Sequence, residues 1–136
     1  MSRISINDYY LNIAKAVSKR STCLRRQYGA VLVNNGEIIG TGYNGSARGA
    51  VNCCDTGKCM RTDHKHNDGD YRECPAVHAE MNCLLSVARR DSINGILYLY
   101  GEENGKTINA EPCPICKRVI INAGIARVIT SKEETE

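Results

Sequence analysis

Apolar residues recur along this chain at two periods, and each period predicts its own kind of element. From about Asp8 to Lys19 the spacing of Tyr9, Ile13, Ala16 and Val17 is that of an amphipathic helix with one buried face. Gly29–Val33 and Glu37–Gly40 are β-prone runs on either side of Asn34-Asn35-Gly36, the pattern of a hairpin closed by an Asn-Gly turn. Val77, Met81, Leu84, Leu85 and Ala88 return to helical spacing and place His78 in the first turn of a second helix. Gly95–Tyr100 reads as a buried strand. A third helix begins at Pro112 and Pro114, continues through Ile115, Val119 and Ile120, and stops at Gly124. Ala126–Thr130 reads as a last strand, and Ser131–Glu136 as a charged, frayed tail.

The resulting order is helix, hairpin, helix, strand, helix, strand. A strand–helix–strand crossover implies parallel pairing with helices on the sheet faces, beside an antiparallel hairpin. The predicted fold is α/β: a three-layer α/β/α sandwich around a mixed four- to five-stranded sheet, in one domain over residues 1–136. Residues 44–75 have no clear period and hold Gly, Asp, Asn, Cys and His. So long an irregular stretch in a compact domain points to a functional loop or to one tied down by something.

Bulk composition narrows the classes. A 42% hydrophobic and 24% charged chain is ordinary for a globular protein, and no apolar run is long enough to span a bilayer. The N-terminus lacks the apolar core of a signal peptide, so a cytoplasmic protein is expected, without membrane partners. Eight cysteines without an export signal argue for reduced thiols or metal ligands over a disulfide framework. A net charge of +3, seven Tyr, and no Phe or Trp make a nucleic-acid polymer a poor partner, because base-stacking platforms are in short supply. Eleven arginines against seven lysines suit discrete phosphate contacts.

The chemistry concentrates in two short motifs, His78-Ala79-Glu80 and Pro112-Cys113-Pro114-Ile115-Cys116. Catalytic zinc takes three protein ligands and leaves a position for water, and one imidazole with two thiolates meets that need. His78, Cys113 and Cys116 are therefore the candidate ligands. Bound zinc lowers the pKa of its water to roughly 7. Glu80 is left over as the carboxylate that takes the water proton, delivers it to a ring nitrogen, and protonates departing ammonia. The two cysteines lie at a helix start, where the dipole favours thiolate. A structural zinc module would have no need of Glu80.

His-x-Glu followed by Pro-Cys-x-x-Cys is the known signature of zinc nucleobase deaminases, and the chain resembles the cytidine-deaminase superfamily. Gly29-Ala30-Val31, Gly42-Tyr43-Asn44-Gly45, Asn52-Cys53-Cys54-Asp55 and Val77–Asn82 make it similar, more narrowly, to deoxycytidylate (dCMP) deaminases. That resemblance implies hydrolytic deamination of dCMP to dUMP. It implies Asn44 against the deoxyribose, the backbone of Ala79 against the base, and Ser21 with Arg25 on the 5′-phosphate. It implies a homo-hexamer activated by dCTP with Mg²⁺ and inhibited by dTTP, with Gly42, Tyr43, Asn44, Gly45 and Arg48 in or beside the regulatory site. Relatives continue past the last strand with a phosphate-closing segment that Ser131–Glu134 does not match, which leaves Arg25, Arg26, Lys132 or a neighbouring subunit for that task. The alternatives are a deaminase of another cytosine or adenine compound, and an inactive zinc-stabilised interaction module.

Some relatives hold a second, structural zinc in the insertion. Cys23 and Cys53 match one version of that site; Cys54 and Cys59, with Cys74, match another; His64 and His66 are further candidate ligands. A closed tetrahedral site would give a fixed structure to a loop without its own core. Buried free thiols are the plainer reading of the same cysteines.

Overall fold

A computed structural model describes residues 2–59 and 74–133. Its first half comprises α1 (Ile6–Ser18), β1 (Gln27–Asn34), β2 (Glu37–Tyr43), β3 (Gly45–Ser46), α2 (Cys53–Thr56) and β4 (Ala76–Val77). The second half comprises α3 (Ala79–Leu85), α4 (Arg89–Ser92), β5 (Ile96–Glu103), β6 (Lys106–Ile108), α5 (Pro114–Asn122) and β7 (Arg127–Thr130). One five-stranded sheet carries the fold. β2, β1 and β5 are successive antiparallel neighbours, and the outer edge of β5 is shared by β7, parallel, and β6, antiparallel. The expected mixed sheet is present, and α5 makes the crossover between its parallel pair.

Strand alternation divides the core into two layers. Val31, Val33, Tyr98 and Tyr100 face α1, where they pack with Tyr10 and Ala14. Ala30, Leu32, Leu97 and Leu99 face the other way, against Ala79 and Cys83 of α3 and Ile120 of α5. Three layers follow: α1, the sheet, then α3 with α5.

Glycines set how closely the helices approach. A Cβ on Gly29 would lie 2.0 Å from the carbonyl oxygen of Ala14 and 2.6 Å from the nitrogen of Ser18. The small residues Ala14 and Ser18 therefore face Gly29, and the third buried position of α1 is Tyr10. Helical spacing puts Tyr9 and Ala16 on the buried face, but both are exposed. On the opposite face, a Cβ on Gly42 would lie 2.3 Å from the nitrogen of Cys83 and 2.6 Å from the carbonyl oxygen of Ala79. The space beside Gly40 is taken by the side chain of Val87 and the Cys83 carbonyl oxygen. With Gly42 opposite Ala30 and Gly40 opposite Leu32, α3 starts over Ala30 and runs in the direction of β1.

The first hairpin turns at Asn35-Gly36, both at positive φ as a type I′ turn requires. A second hairpin, absent from the sequence reading, joins β5 to β6 through Asn104-Gly105 with the same signs of φ. The helix predicted through Ala88 is two pieces: α3 ends at Leu85, which is exposed, and Ala88 caps α4. α5 ends as expected before Gly124, which is at positive φ. Residues 44–75 carry β3, paired with β4, and the short α2, while His64 and His66 lie outside the described residues. Among the described residues no helix is long and apolar enough to cross a membrane.

Candidate active site

Two helix N-termini converge on one point. His78 is the N-cap of α3, with extended backbone, and its side chain makes no capping hydrogen bond. The imidazole is thereby released toward α5. Cys113 is the N-cap of α5, Pro114 opens the helix, and the Cys113 Sγ accepts the backbone N–H of Cys116 at 3.4 Å. His78 Nδ1 lies 3.2 Å from Cys116 Sγ and 3.5 Å from Cys113 Sγ.

These spacings test the fit to zinc. A tetrahedral ion with bonds of about 2.3 Å to sulfur and about 2.0 Å to nitrogen separates the two donor types by about 3.5 Å. The donor set fits, and all three candidate atoms lie within 4.8 Å of one another. Among the described residues no other trio of His, Cys or acidic groups reaches that spacing.

Glu80 follows two residues after His78, in the first turn of α3, and is only 5% exposed. Burial pushes its carboxyl above the ordinary carboxylate range; its own backbone N–H, His78 and a hydrogen bond from the Cys116 thiol pull in the other direction. Burial, and after it the charge of Glu80, pushes the Cys116 thiol up. A coordinated cation would invert that balance and hold the thiol as thiolate.

The floor of the site is the end of the sheet that α3 leaves uncovered. Asn44, 8% exposed, ties that end together. Its Oδ1 accepts from Ser21 Oγ at 2.6 Å and from the Tyr28 backbone N–H at 2.9 Å. Its Nδ2 donates to the Arg26 carbonyl at 2.9 Å, and its own carbonyl accepts from Ser21 Oγ at 2.9 Å. The predicted residues Ser21 and Asn44 are thus brought together, each on the other. Arg25 instead lines a surface hollow with Leu24, Gly57, Lys58 and Cys59. Ala79 is fully buried at the start of α3.

The remaining predicted residues lie around β2, β3 and α2. Gly42 lies under α3, the Tyr43 carbonyl accepts from Asn82 Nδ2 at 2.8 Å, and Gly45 pairs with Val77. Arg48 stands in an exposed turn after β3. Cys23 feels the charges of Cys53, Cys74 and Cys59, and burial, the larger cause, with these neighbours pushes its thiol up to about 12. Cys54 is exposed, beside Asp55. Tyr28, whose backbone N–H donates to Asn44, is not among the residues expected from sequence. Alternation was the available signal: Tyr28, Ala30 and Leu32 share one face of β1, and that face carries α3.

The family model for the cytidine and deoxycytidylate deaminase zinc-binding region matches residues 4–132. The chain belongs to the cytidine and deoxycytidylate deaminase family. It is 40% identical over 139 residues to the deoxycytidylate deaminase of Mycobacterium phage D29, covering 98% of this chain and 99% of that one. It is 37% identical over 129 residues to the deoxycytidylate deaminase of Schizosaccharomyces pombe, but spans 37% of that longer protein. Among solved structures it is similar to the dCMP deaminase of cyanophage S-TIM5 in complex with dCMP and dUMP. That match has a TM-score of 0.68 and 26% identity, over 96% of this chain and 83% of the other. A family shared across phage and fungal proteins agrees with a site assembled from local motifs on a common sheet.

Proposed function

We propose that this chain is a zinc-dependent hydrolase that deaminates dCMP to dUMP. The observation that carries the reading is the buried Glu80 beside the His78, Cys113, Cys116 trio: a carboxylate outside the ligand set, positioned where a proton must move. Zinc held by those three side chains would supply an acidified water and a Lewis acid at neutral pH. Glu80 then accepts a proton from water as its oxygen bonds to C4 of the base, and passes that proton to N3. The second proton goes through Glu80 to the amino nitrogen, the C4–N4 bond breaks, and ammonia leaves with C4=O in place. In this reading the Ala79 backbone contacts the base, Asn44 the deoxyribose, and Ser21 with Arg25 or Arg26 the 5′-phosphate.

Finer features extend this reading. A second, structural zinc is drawn from the cysteines around the insertion, where Cys53, Cys74 and Cys59 each act electrostatically on Cys23, though among the described residues no second trio of donor atoms is as close together as His78, Cys113 and Cys116. Metal analysis should give two zinc ions per chain, and one after Cys23→Ser. Exposed apolar side chains at Ile115 and Val119 of α5 and Leu85 of α3 support self-association, as a homo-hexamer. Activation by dCTP with Mg²⁺, inhibition by dTTP, and a cytoplasmic location with reduced thiols complete the proposal.

The test is loss of cytosine absorbance on dCMP, deoxycytidine, CMP and cytidine, with and without dCTP–Mg²⁺. Turnover of dCMP above the other three, raised by dCTP, supports substrate and regulation together. Equal rates on all four refute the substrate assignment, and no turnover by zinc-loaded protein refutes the activity.

A further inference from the structure

β7 and β6 divide the outer edge of β5 between them, and the backbone groups at the branch need partners. Thr130, the last residue of β7, pairs with Leu99, while Ile108, the last residue of β6, pairs with Gly101. Ser131 fills the gap. The sequence places it in a charged tail, yet it is only 5% exposed. Its N–H donates to the Leu99 carbonyl at 2.9 Å, and its Oγ accepts from the Gly101 N–H at 3.1 Å. The same hydroxyl donates to the Ile108 carbonyl at 2.9 Å, and the Ser131 carbonyl accepts from the Ala110 N–H at 3.1 Å. Two of these partners lie on β5 and two on the chain that leaves β6. Two residues on, the Glu133 N–H donates to Asn109 Oδ1 at 2.8 Å.

The segment held in this way leads directly to a metal ligand. Residues 109–113 belong to no helix or strand, since β6 ends at Ile108 and α5 begins at Pro114. Ala110 is buried with Leu99 and Ile120, and only Glu111 and Pro112 separate it from Cys113. Those links are stiff. Pro112 and Pro114 each fix φ at about −65°, and a residue that precedes proline is kept extended. Glu111 and Cys113 both precede proline, and Cys113 has φ −67° and ψ 164°. With so few soft torsions, a shift at Ala110 passes on to Cys113, whose Sγ lies 3.5 Å from His78 Nδ1.

We infer that Ser131 is a positioning residue for the metal site. It sets the register of residues 109–113, and so the point at which Cys113 Sγ meets His78 and Cys116. The inference rests on the reading of that trio as zinc ligands. Removing the hydroxyl leaves the Gly101 N–H and the Ile108 carbonyl without their partner, while the Ser131 backbone still joins the two arms. The branch loosens without coming apart. A serine that served the sheet alone would change stability and nothing at the metal.

The test follows zinc release from loaded protein into a chromophoric chelator, beside thermal unfolding. The release phase missing from Cys113→Ala identifies the ion of this site. In Ser131→Ala that phase should run about 10-fold faster, the low end of what groups that orient metal ligands contribute. Val33→Ala is the comparison, because Val33 packs on the α1 face, away from the metal. It should lower the melting temperature and leave the zinc phase at the wild-type rate. Asn109→Ala removes only the exposed tie to Glu133, and should quicken release in a protein whose core is intact. An unchanged zinc phase in Ser131→Ala or in Asn109→Ala, or equal acceleration in Val33→Ala, would overturn the inference. Wild type without that zinc phase would refute the metal reading itself.

Discussion

Gly42→Ala is the substitution through which packing should reach chemistry most directly. The added methyl would sit 2.3 Å from the nitrogen of Cys83, 2.6 Å from the oxygen of Ala79 and 2.9 Å from the carbonyl carbon of Asn82. All three are backbone atoms of α3, so no rotamer change relieves the clash. Ordinary contact lies at about 3.5 Å, so the helix must retreat by about 1 Å. Overpacking of that kind costs about 1–3 kcal/mol, a fall in melting temperature of roughly 3–15 °C. The same displacement carries His78 and Glu80 away from Cys113 and Cys116, and a 1 Å error at reacting groups lowers the rate by about 100-fold. Gly40→Ala is the matched comparison, because its nearest neighbour is the Val87 side chain at 2.5 Å, which can move. It should cost less than about 1 kcal/mol and leave the rate within roughly threefold. The assays are thermal unfolding and dCMP deamination at saturating substrate. Wild-type rate and stability in Gly42→Ala, or equal losses in both variants, would refute the argument that Gly42 sets the position of α3.

Three further outcomes follow from buried polar groups. Asn44→Ala strands the Tyr28 N–H and frees Ser21, so chemical unfolding should show a loss of about 2–4 kcal/mol; a loss below about 0.5 kcal/mol would show that the amide is no structural tie. Glu102, buried at 4% exposure, accepts two bonds from Lys19 Nζ at 2.7 and 2.9 Å. Glu102→Gln should cost about 1–2 kcal/mol, a small figure for a buried carboxylate because the half-exposed Lys19 can return to water, and no cost in urea unfolding would contradict it. Burial pushes Cys83 up to about 12, so above pH 9 the unfolded chain loses its thiol proton first and stability falls as pH rises toward 12. Between pH 8 and 10 the wild type should lose about 1 kcal/mol more than Cys83→Ala, and equal losses would refute the burial effect.

Where the chain wrote a structure into local pattern, the pattern was readable. Asn35-Gly36 sits between β-prone runs and announced its hairpin, whereas Asn104-Gly105 lies between Glu102-Glu103 and Lys106-Thr107, where no apolar alternation marks the strands. The phase of α1 was off by one because Tyr9 and Tyr10 are equally apolar. What decides between them is the absence of a side chain at Gly29, a long-range fact. Similarly, Leu85 and Ala88 continue the helical spacing of α3, but the helix ends before Ala88 and Leu85 faces outward. The metal trio and Glu80 were legible because their two motifs are each short and rest on helix starts. The meeting of Arg26 with Tyr28 and Glu103 was not, because it depends on the register of β1 against β5.

The central claim is that His78, Cys113 and Cys116 hold zinc while Glu80 moves the protons. Zinc content and dCMP turnover, measured together on wild type, Glu80→Gln and Cys113→Ala, test it most directly. Glu80→Gln should keep its full zinc and lose turnover by at least about 100-fold, and Cys113→Ala should lose one zinc ion per chain together with all turnover. Full turnover in Glu80→Gln, or zinc and activity both retained in Cys113→Ala, would contradict the account.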